Sequence, residues 1–152
     1  MFRGTTSINL DVKGRLTMPT TYRDLVRMHG EGKMVCTIDT IRPCLLLYPL
    51  NQWQPIEQKL MTLPDFDPEA AAIKRLILGQ ANDCEMDKSG RVLLTPSLRA
   101  HAKLDKKLML IGQVNKFELW DETLWLEQTQ KDLAFVKTID FSTSTRLRDF
   151  SL

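Results

Sequence analysis

The stretch that decides the fold occurs twice, as LDVKGRLTM at residues 10–18 and as MDKSGRVLL at residues 86–94. Laid over each other, the two stretches share an aspartate, a glycine and an arginine at a constant separation of 76 residues. Their apolar residues also fall at matching positions, and a later pair of arginines, Arg23 and Arg99, keeps the same separation. An internal repeat of this kind predicts one structural unit that is built twice.

Each copy of the unit predicts two strands joined by a tight turn. Aspartate first and glycine fourth, as in residues 11–14 and 87–90, are the preferences of a type I turn. On either side of the turn, polar and apolar residues alternate with the period of a half-buried strand. This alternation places Leu16 and Met18 inward and Arg15 outward. The unit is therefore predicted to be a β-hairpin whose second strand begins with an outward arginine.

Further short strands and helices are predicted in the rest of the chain. The expected strands are residues 34–38, 44–48, 108–111 and 117–120. The expected helices are residues 20–28, 51–61, 96–103 and 121–135. One more helix is expected between the copies, because Asp67 followed by Pro68 is typical of a helix N-terminus, and the helical pattern continues to Leu78.

These elements predict an α+β, β-rich fold in which two tandem β-hairpin repeats form a pseudo-two-fold, β-barrel-like body with peripheral helices. One copy of roughly 45 residues is at the lower limit of what folds alone, so the copies are expected to bury their strands against each other. The predicted organisation is repeat 1 over residues 5–52, a helical connection over 53–80, repeat 2 over 81–124, and a C-terminal helix and tail over 125–152.

Composition and cysteine usage exclude several classes of protein. The 152 residues are 43% hydrophobic and 26% charged, which is typical of a globular domain. The apolar run at residues 44–48 is far shorter than the ~20 residues of a membrane span, and the first residues carry no apolar signal core. Three cysteines without a Cys-x-x-Cys pair argue against a disulfide scaffold or a zinc ribbon. A cytoplasmic protein without a membrane partner is expected.

Positive charge coincides with the two predicted hairpins. The net charge is only +2, but residues 1–30 and 84–107 each carry +3, whereas the segments that follow them each carry −2. A two-stranded ribbon fits the major groove of DNA, where arginine bonds the O6 and N7 atoms of guanine. The predicted DNA-binding residues are those that the hairpins and the N-terminal arm present, namely Arg15, Lys13, Arg3, Arg91 and Lys88.

Two other interpretations of the repeated turn stay open at this point. In the first, Asp11, Gly14, Asp87 and Gly90 only shape the turns and the arginines are solvated. In the second, the two aspartates meet as a carboxylate pair for acid–base chemistry, although no repeated serine, histidine or cysteine accompanies them. The absence of such partners favours a non-enzymatic protein, and no catalytic residue, metal ligand, cofactor or small-molecule substrate is predicted.

The pattern LDxxGRLxxPxxxR over residues 10–23, with a second copy DKxGRV at residues 87–92, closely resembles the MraZ family of bacterial transcriptional regulators. The resemblance covers nearly the whole chain, including the N-terminal MFRG. It implies two AbrB-like, swapped-hairpin β-domains in one chain, which assembles into a ring homo-oligomer. It further implies a cytoplasmic, nucleoid-associated protein that represses its own promoter, at the head of a division and cell-wall gene cluster, by binding guanine-rich direct repeats in double-stranded DNA.

The resemblance also assigns roles to residues by position. Asp11 and Arg15 match one Asp-x-x-x-Arg motif of the family, and Asp87 and Arg91 match the second. The aspartates are expected to orient the turn or to pair with an arginine, and the arginines to face DNA, with the first hairpin as the main contact. The alternative function is a swapped-hairpin protein-interaction module, antitoxin- or scaffold-like, without DNA readout.

Overall fold

The computed structural model describes residues 1–150 and Leu152. Its strands are β1 (Phe2–Asn9), β2 (Arg15–Thr17), β3 (Lys33–Ile38), β4 (Leu45–Pro49), β5 (Asn82–Glu85), β6 (Arg91–Leu93), β7 (Lys107–Val114) and β8 (Phe117–Asp121). Its helices are α1 (Thr20–Gly30), α2 (Leu50–Met61), α3 (Pro68–Ile77), α4 (Pro96–His101) and α5 (Glu122–Val136). The predicted strands and helices are therefore all found, and the strand before the first turn, β1, is eight residues long.

The strands form one large antiparallel sheet and one small ribbon. The sheet has the order β1-β7-β8-β4-β3-β5, and the ribbon pairs β2 with β6. In the two copies, β1 corresponds to β5, β3 to β7 and β4 to β8. Exchanging these equivalents gives the same sheet order read in reverse, so the sheet has an approximate two-fold axis between β8 and β4. The predicted α+β, strand-rich fold with two repeats and peripheral helices is confirmed. The sheet stays open, with β1 and β5 at its edges.

Strand pairing within each hairpin differs from what the alternation alone predicts. The strands that flank each turn pair across the copies, β1 with β7 and β2 with β6. One bridge, Leu10 to Leu16, is what the described residues retain of a local hairpin at the first turn. Since β1 is eight residues long and β2 only three, most of β1 has no local partner, and its main-chain hydrogen bonds within the sheet are made with β7 of the second copy. The two copies are thus folded into each other.

The main core lies between the ribbon and the sheet. The inward side chains of the ribbon, Leu16 and Val92, are fully buried, and Met18 and Leu94 just beyond the ribbon are also buried. They belong to one hydrophobic cluster with alternate residues of the four central strands, namely Met34, Cys36, Ile38, Leu45, Leu47, Leu108, Leu110, Phe117 and Leu119. This core holds the ribbon in place, so the other face of the ribbon must point outward.

A second, smaller cluster covers the opposite face of β3 and β4. Val35, Tyr48 and Trp53 are its buried members, so the tryptophan of α2 is a core residue. The helix predicted between the copies is α3, which begins as expected: Asp67 is its N-cap and accepts a hydrogen bond from the Glu69 main-chain N–H at 3.1 Å. Thr95 caps α4 in the same manner, so that helix begins at Pro96.

The chain divides into two compact units, residues 1–122 and residues 123–152. The second unit consists of α5 from its second residue onward and a tail of turns, in which the rings of Phe141 and Phe150 stack at 6.3 Å. Within α5 no described side chain is buried. The predicted domain boundaries stay predictions. In residues 1–150 and Leu152, each helix is too short or too polar to cross a membrane.

Candidate nucleic-acid interface

The first turn, residues 11–14 (turn 1), is organised by the carboxylate of Asp11. Its Oδ1 accepts hydrogen bonds from the main-chain N–H groups of Lys13 at 2.9 Å and Arg15 at 2.8 Å. Its Oδ2 accepts a hydrogen bond from Nε of Arg15 at 2.8 Å. The Gly14 N–H donates to the Asp11 carbonyl at 3.0 Å, and Gly14 has a φ of +83°, which a side chain would strain. Aspartate and glycine together therefore fix both the turn and the arginine.

The second turn, residues 87–90 (turn 2), repeats this geometry. Asp87 Oδ1 accepts from the main-chain N–H groups of Ser89 and Arg91, both at 2.9 Å. Asp87 Oδ2 accepts from Nε of Arg91 at 3.0 Å. Gly90 has a φ of +79°. The two Asp-x-x-x-Arg motifs thus share one hydrogen-bonding pattern, which goes beyond the turn preference that the sequence indicates.

The carboxylates of both turns are held in their charged form. Hydrogen bonds, foremost from the main-chain N–H of Arg15, keep the pKa of Asp11 below its ordinary value, and the Arg91 N–H does the same for the pKa of Asp87. Both aspartates are therefore ionised at neutral pH and bind the arginine Nε atoms. Among the described residues no acceptor takes the terminal guanidinium nitrogens of either arginine, so these nitrogens are available to a ligand.

The ribbon brings the two arginines onto one face. Arg15 lies opposite Leu93 and Arg91 lies opposite Thr17, so the face that points away from the core carries all four side chains. The two arginines are diagonal neighbours across the ribbon, a relation in which residues lie about 7–8 Å apart and their Cβ atoms somewhat closer. The predicted cationic ribbon exists, with the correction that one strand comes from each copy. We call this surface the outer face of the ribbon.

Each turn is braced by an arginine from the other copy. A Cβ built on Gly14 would lie 2.8 Å from Nε and Cζ of Arg99, and a Cβ on Gly90 would lie 2.3 Å from Nε of Arg23. Both arginines also hydrogen-bond the main chain at the end of a ribbon strand, with Arg23 Nε donating to the Met18 carbonyl at 2.9 Å. Arg23 and Arg99 were not among the predicted site residues. Their shared separation of 76 residues is the signal that could have found them.

Gly90→Ala is expected to destabilise the fold by about 1–2 kcal/mol, because alanine is strained in the left-handed region, with a further loss from displacing Arg23. Urea unfolding of Gly90→Ala in wild-type and Arg23→Ala backgrounds separates the two causes. The penalty should be smaller without the Arg23 side chain, and Ser89→Ala is the neighbouring control with little effect. Equal penalties in both backgrounds would show that Arg23 does not pack on Gly90.

Of the remaining predicted cations, two lie on the turns and one lies on an edge strand of the sheet. Lys13 and Lys88 lie on the exposed tips of turns 1 and 2. Arg3 is exposed on the edge strand β1, opposite Gln113. At ~3.3 Å per residue, roughly 20 Å of strand separates Arg3 from Asn9. Turn 1 therefore combines Lys13 and Arg15, whereas Arg3 lies at the far end of β1.

The geometry does not form a catalytic carboxylate pair. The Leu94 N–H donates to the Gly14 carbonyl and the Met18 N–H donates to the Gly90 carbonyl, so the two turns lie at opposite ends of the ribbon. Each aspartate is bound to the arginine of its own turn. The acid–base interpretation of Asp11 and Asp87 is therefore wrong.

Away from the turns, the described residues bring one group of potential metal ligands together: Asp39, Cys44 and Glu118, with ligand atoms within 4.8 Å of one another. Burial raises the pKa of the Cys44 thiol and also raises the pKa of the Glu118 carboxyl. Arg42 lies 3.5 Å from Asp39 and compensates part of this negative charge. Because its pKa is raised, the Cys44 thiol is protonated at neutral pH, so this group offers no reactive thiolate.

Comparison with known proteins agrees with the duplicated unit. The family model described as "MraZ protein, putative antitoxin-like" matches twice, over residues 1–76 and residues 77–146. The protein named "Transcriptional regulator MraZ" from Idiomarina loihiensis is 56% identical over 152 residues, which is the whole of both chains. Proteins of the same name from Pseudoalteromonas atlantica and Tolumonas auensis are 55% and 53% identical, again over the full length of both chains.

Proposed function

Because this chain belongs to the MraZ family, whose members are transcriptional regulators and not enzymes, we propose that it is a repressor that binds double-stranded DNA through turn 1 and the outer face of the ribbon. The observation that carries this proposal is the pair Asp11–Arg15. A charged carboxylate binds Nε of an outward arginine at 2.8 Å and leaves its terminal nitrogens toward solvent.

Such a pair suits base recognition for a physical reason. Arginine recognises guanine by donating two hydrogen bonds to O6 and N7, and this needs a guanidinium with a fixed direction. The side chain of Arg15 is only 28% exposed, so it is already restricted before DNA arrives, and less conformational entropy is lost on binding. Lys13 at the tip is placed to contact a phosphate, which adds affinity without sequence preference.

One ribbon of three-residue strands is a small contact, so we propose that several act together. A ring homo-oligomer would present one ribbon per subunit at a regular spacing, and short guanine-rich direct repeats would match that spacing. Linking sites in this manner raises avidity by ~10²–10⁴. The promoter proposed as the target is the protein's own, ahead of the division and cell-wall genes, which implies a cytoplasmic, nucleoid-associated protein. Arg3, Lys88 and Arg91 remain proposed DNA contacts.

The experiment is a footprint of the full-length protein on the DNA upstream of its own gene, with fluorescence anisotropy over 0.1–0.4 M salt. We expect protection of evenly spaced guanine-rich repeats and tighter binding than to a scrambled duplex. The logarithm of the binding constant should fall with the logarithm of the salt concentration at a slope near −0.9 per phosphate contacted. Binding to neither duplex would contradict the proposal and would favour the protein-interaction alternative.

A further inference from the structure

The two turns share their internal geometry but differ in the residues beside them. The Leu10 N–H donates to the Lys106 carbonyl at 2.8 Å, and Asn9 pairs with Lys107 in the β1–β7 register. Lys106 and Lys107 therefore lie directly beside the start of turn 1, and both are exposed. We call Lys106 and Lys107 the lysine pair.

The equivalent place at turn 2 has a different charge. The Met86 N–H donates to the Gly32 carbonyl at 2.9 Å, and Lys33 pairs with Glu85. Gly32 and Lys33 thus occupy the place of the lysine pair, and Glu85 that of Asn9. Beside turn 1, the net charge of Asn9, Lys106 and Lys107 is +2. Beside turn 2, the charges of Glu85 and Lys33 cancel and Gly32 has none, so the net charge is zero. The approximate two-fold symmetry of the backbone is broken by charge at this point.

The lysine pair also borders an open depression. It is about 640 Å³ in volume and lies between turn 1 and the segment before β7, with Leu10 and Leu104 among its apolar lining. Arg99, which braces Gly14, lines it together with the lysine pair. Two carboxylates, Asp11 and Asp105, also line the depression, and Asp11 is bound to Arg15. The three cations therefore outnumber the anions around it.

This arrangement fits a DNA backbone better than a base. Lysine is a compact charge on a flexible stem, which suits a phosphate, whereas the rigid fork of arginine suits guanine. Phosphate contacts position a protein on the duplex without reading its sequence. A turn that enters the groove brings the residues beside its base close to the flanking phosphates.

We infer that Lys106 and Lys107 contact DNA backbone phosphates beside turn 1, so that turn 1 and not turn 2 is the main DNA-binding end of the ribbon. This inference rests on the proposed function and adds a second element, from the other copy, to the contact. Turn 2, with Glu85 beside it, has no such pair and contributes less affinity.

The test compares two charge-matched double variants of the full-length protein, Lys106→Gln/Lys107→Gln and Lys33→Gln/Lys59→Gln. Loss of two phosphate contacts should reduce the magnitude of the salt slope by about 1.8 per engaged subunit and weaken binding roughly 30-fold at 0.15 M salt. The loss should be equal on the upstream and scrambled duplexes, because phosphates carry no sequence. The variant at Lys33 and Lys59 should bind like the wild type.

Folding needs its own control. The two lysines contact Asn9 and Leu10 through their main chain, so replacing their side chains leaves these contacts in place. The thermal unfolding midpoint should not change, and Lys106→Arg/Lys107→Arg should restore the slope. An unchanged slope in Lys106→Gln/Lys107→Gln, or an equal loss in both double variants, would overturn the inference while wild-type binding still supports the proposed function. Wild-type protein that binds neither duplex would overturn both.

Discussion

Replacing Arg15 with alanine is expected to weaken binding to the upstream repeats by about 5- to 150-fold for each engaged subunit, which corresponds to the ~1–3 kcal/mol of one bidentate arginine–guanine contact. In the proposed ring the losses would multiply over the subunits that contact DNA, so specific binding should disappear at ordinary protein concentrations. Affinity for the upstream duplex should fall more than affinity for the scrambled duplex, because Arg15 is proposed to contact a base and not a phosphate. Fluorescence anisotropy on the two duplexes at one salt concentration measures both quantities.

Three controls give this result its meaning. Arg42→Ala removes the same charge from a different loop, where Arg42 lies 3.5 Å from Asp39, and should change affinity less than twofold. Arg15→Lys keeps the charge but loses the fork, so it should bind both duplexes with similar affinity. Arg91→Ala measures the contribution of turn 2. Unchanged discrimination between the duplexes in Arg15→Ala would show that Arg15 does not read a base.

Residues 1–76 expressed alone are expected not to form a folded monomer, although they contain one complete copy of the repeat. The partner of β1 is β7 and the partner of β2 is β6, so the isolated copy lacks the partners of both strands. Leu16, which is fully buried in the intact chain, would lose Val92 opposite it. The chain can satisfy these strands only with residues 77–152 or with a second copy of itself.

Sedimentation velocity and far-ultraviolet circular dichroism check this expectation. The fragment alone should be unfolded or dimeric, and adding residues 77–152 should produce a folded 1:1 complex with the spectrum of the intact protein. The intact chain at the same concentration is the control. A monomeric fragment of residues 1–76 that unfolds cooperatively would contradict the cross-copy pairing.

The sequence predicts those features that depend on neighbouring residues. Asp11 and Gly14 specify a turn because a side chain that accepts main-chain hydrogen bonds and a residue without a Cβ are needed at those two places. Asp67 and Pro68 specify the start of α3 for similarly local reasons. The alternation around Leu16 correctly separates the buried face of the strand from the exposed one.

Features that depend on distant residues are not predicted by alternation. A hairpin and a cross-copy pair present the same inward and outward residues, so the pattern around turn 1 cannot tell which strand β1 will join. Only the family resemblance indicates exchanged hairpins. In the same way, the shared separation of 76 residues marks Arg23 and Arg99 as equivalent. Each packs on the turn glycine of the other copy because β2 pairs with β6, and the sequence does not predict that pairing. The lysine pair is distant from turn 1 in sequence and adjacent to it through the β1–β7 register.

In the proposed complex, the tip of turn 1 touches DNA. Val12 at this tip is 99% exposed, and Phe66 in the connection between α2 and α3 is 90% exposed, so the two positions accept a photo-crosslinking amino acid equally well. Irradiating each labelled protein on the upstream duplex should give a covalent protein–DNA adduct from position 12 and none from position 66. A bound complex in which position 12 gives no adduct would contradict the account.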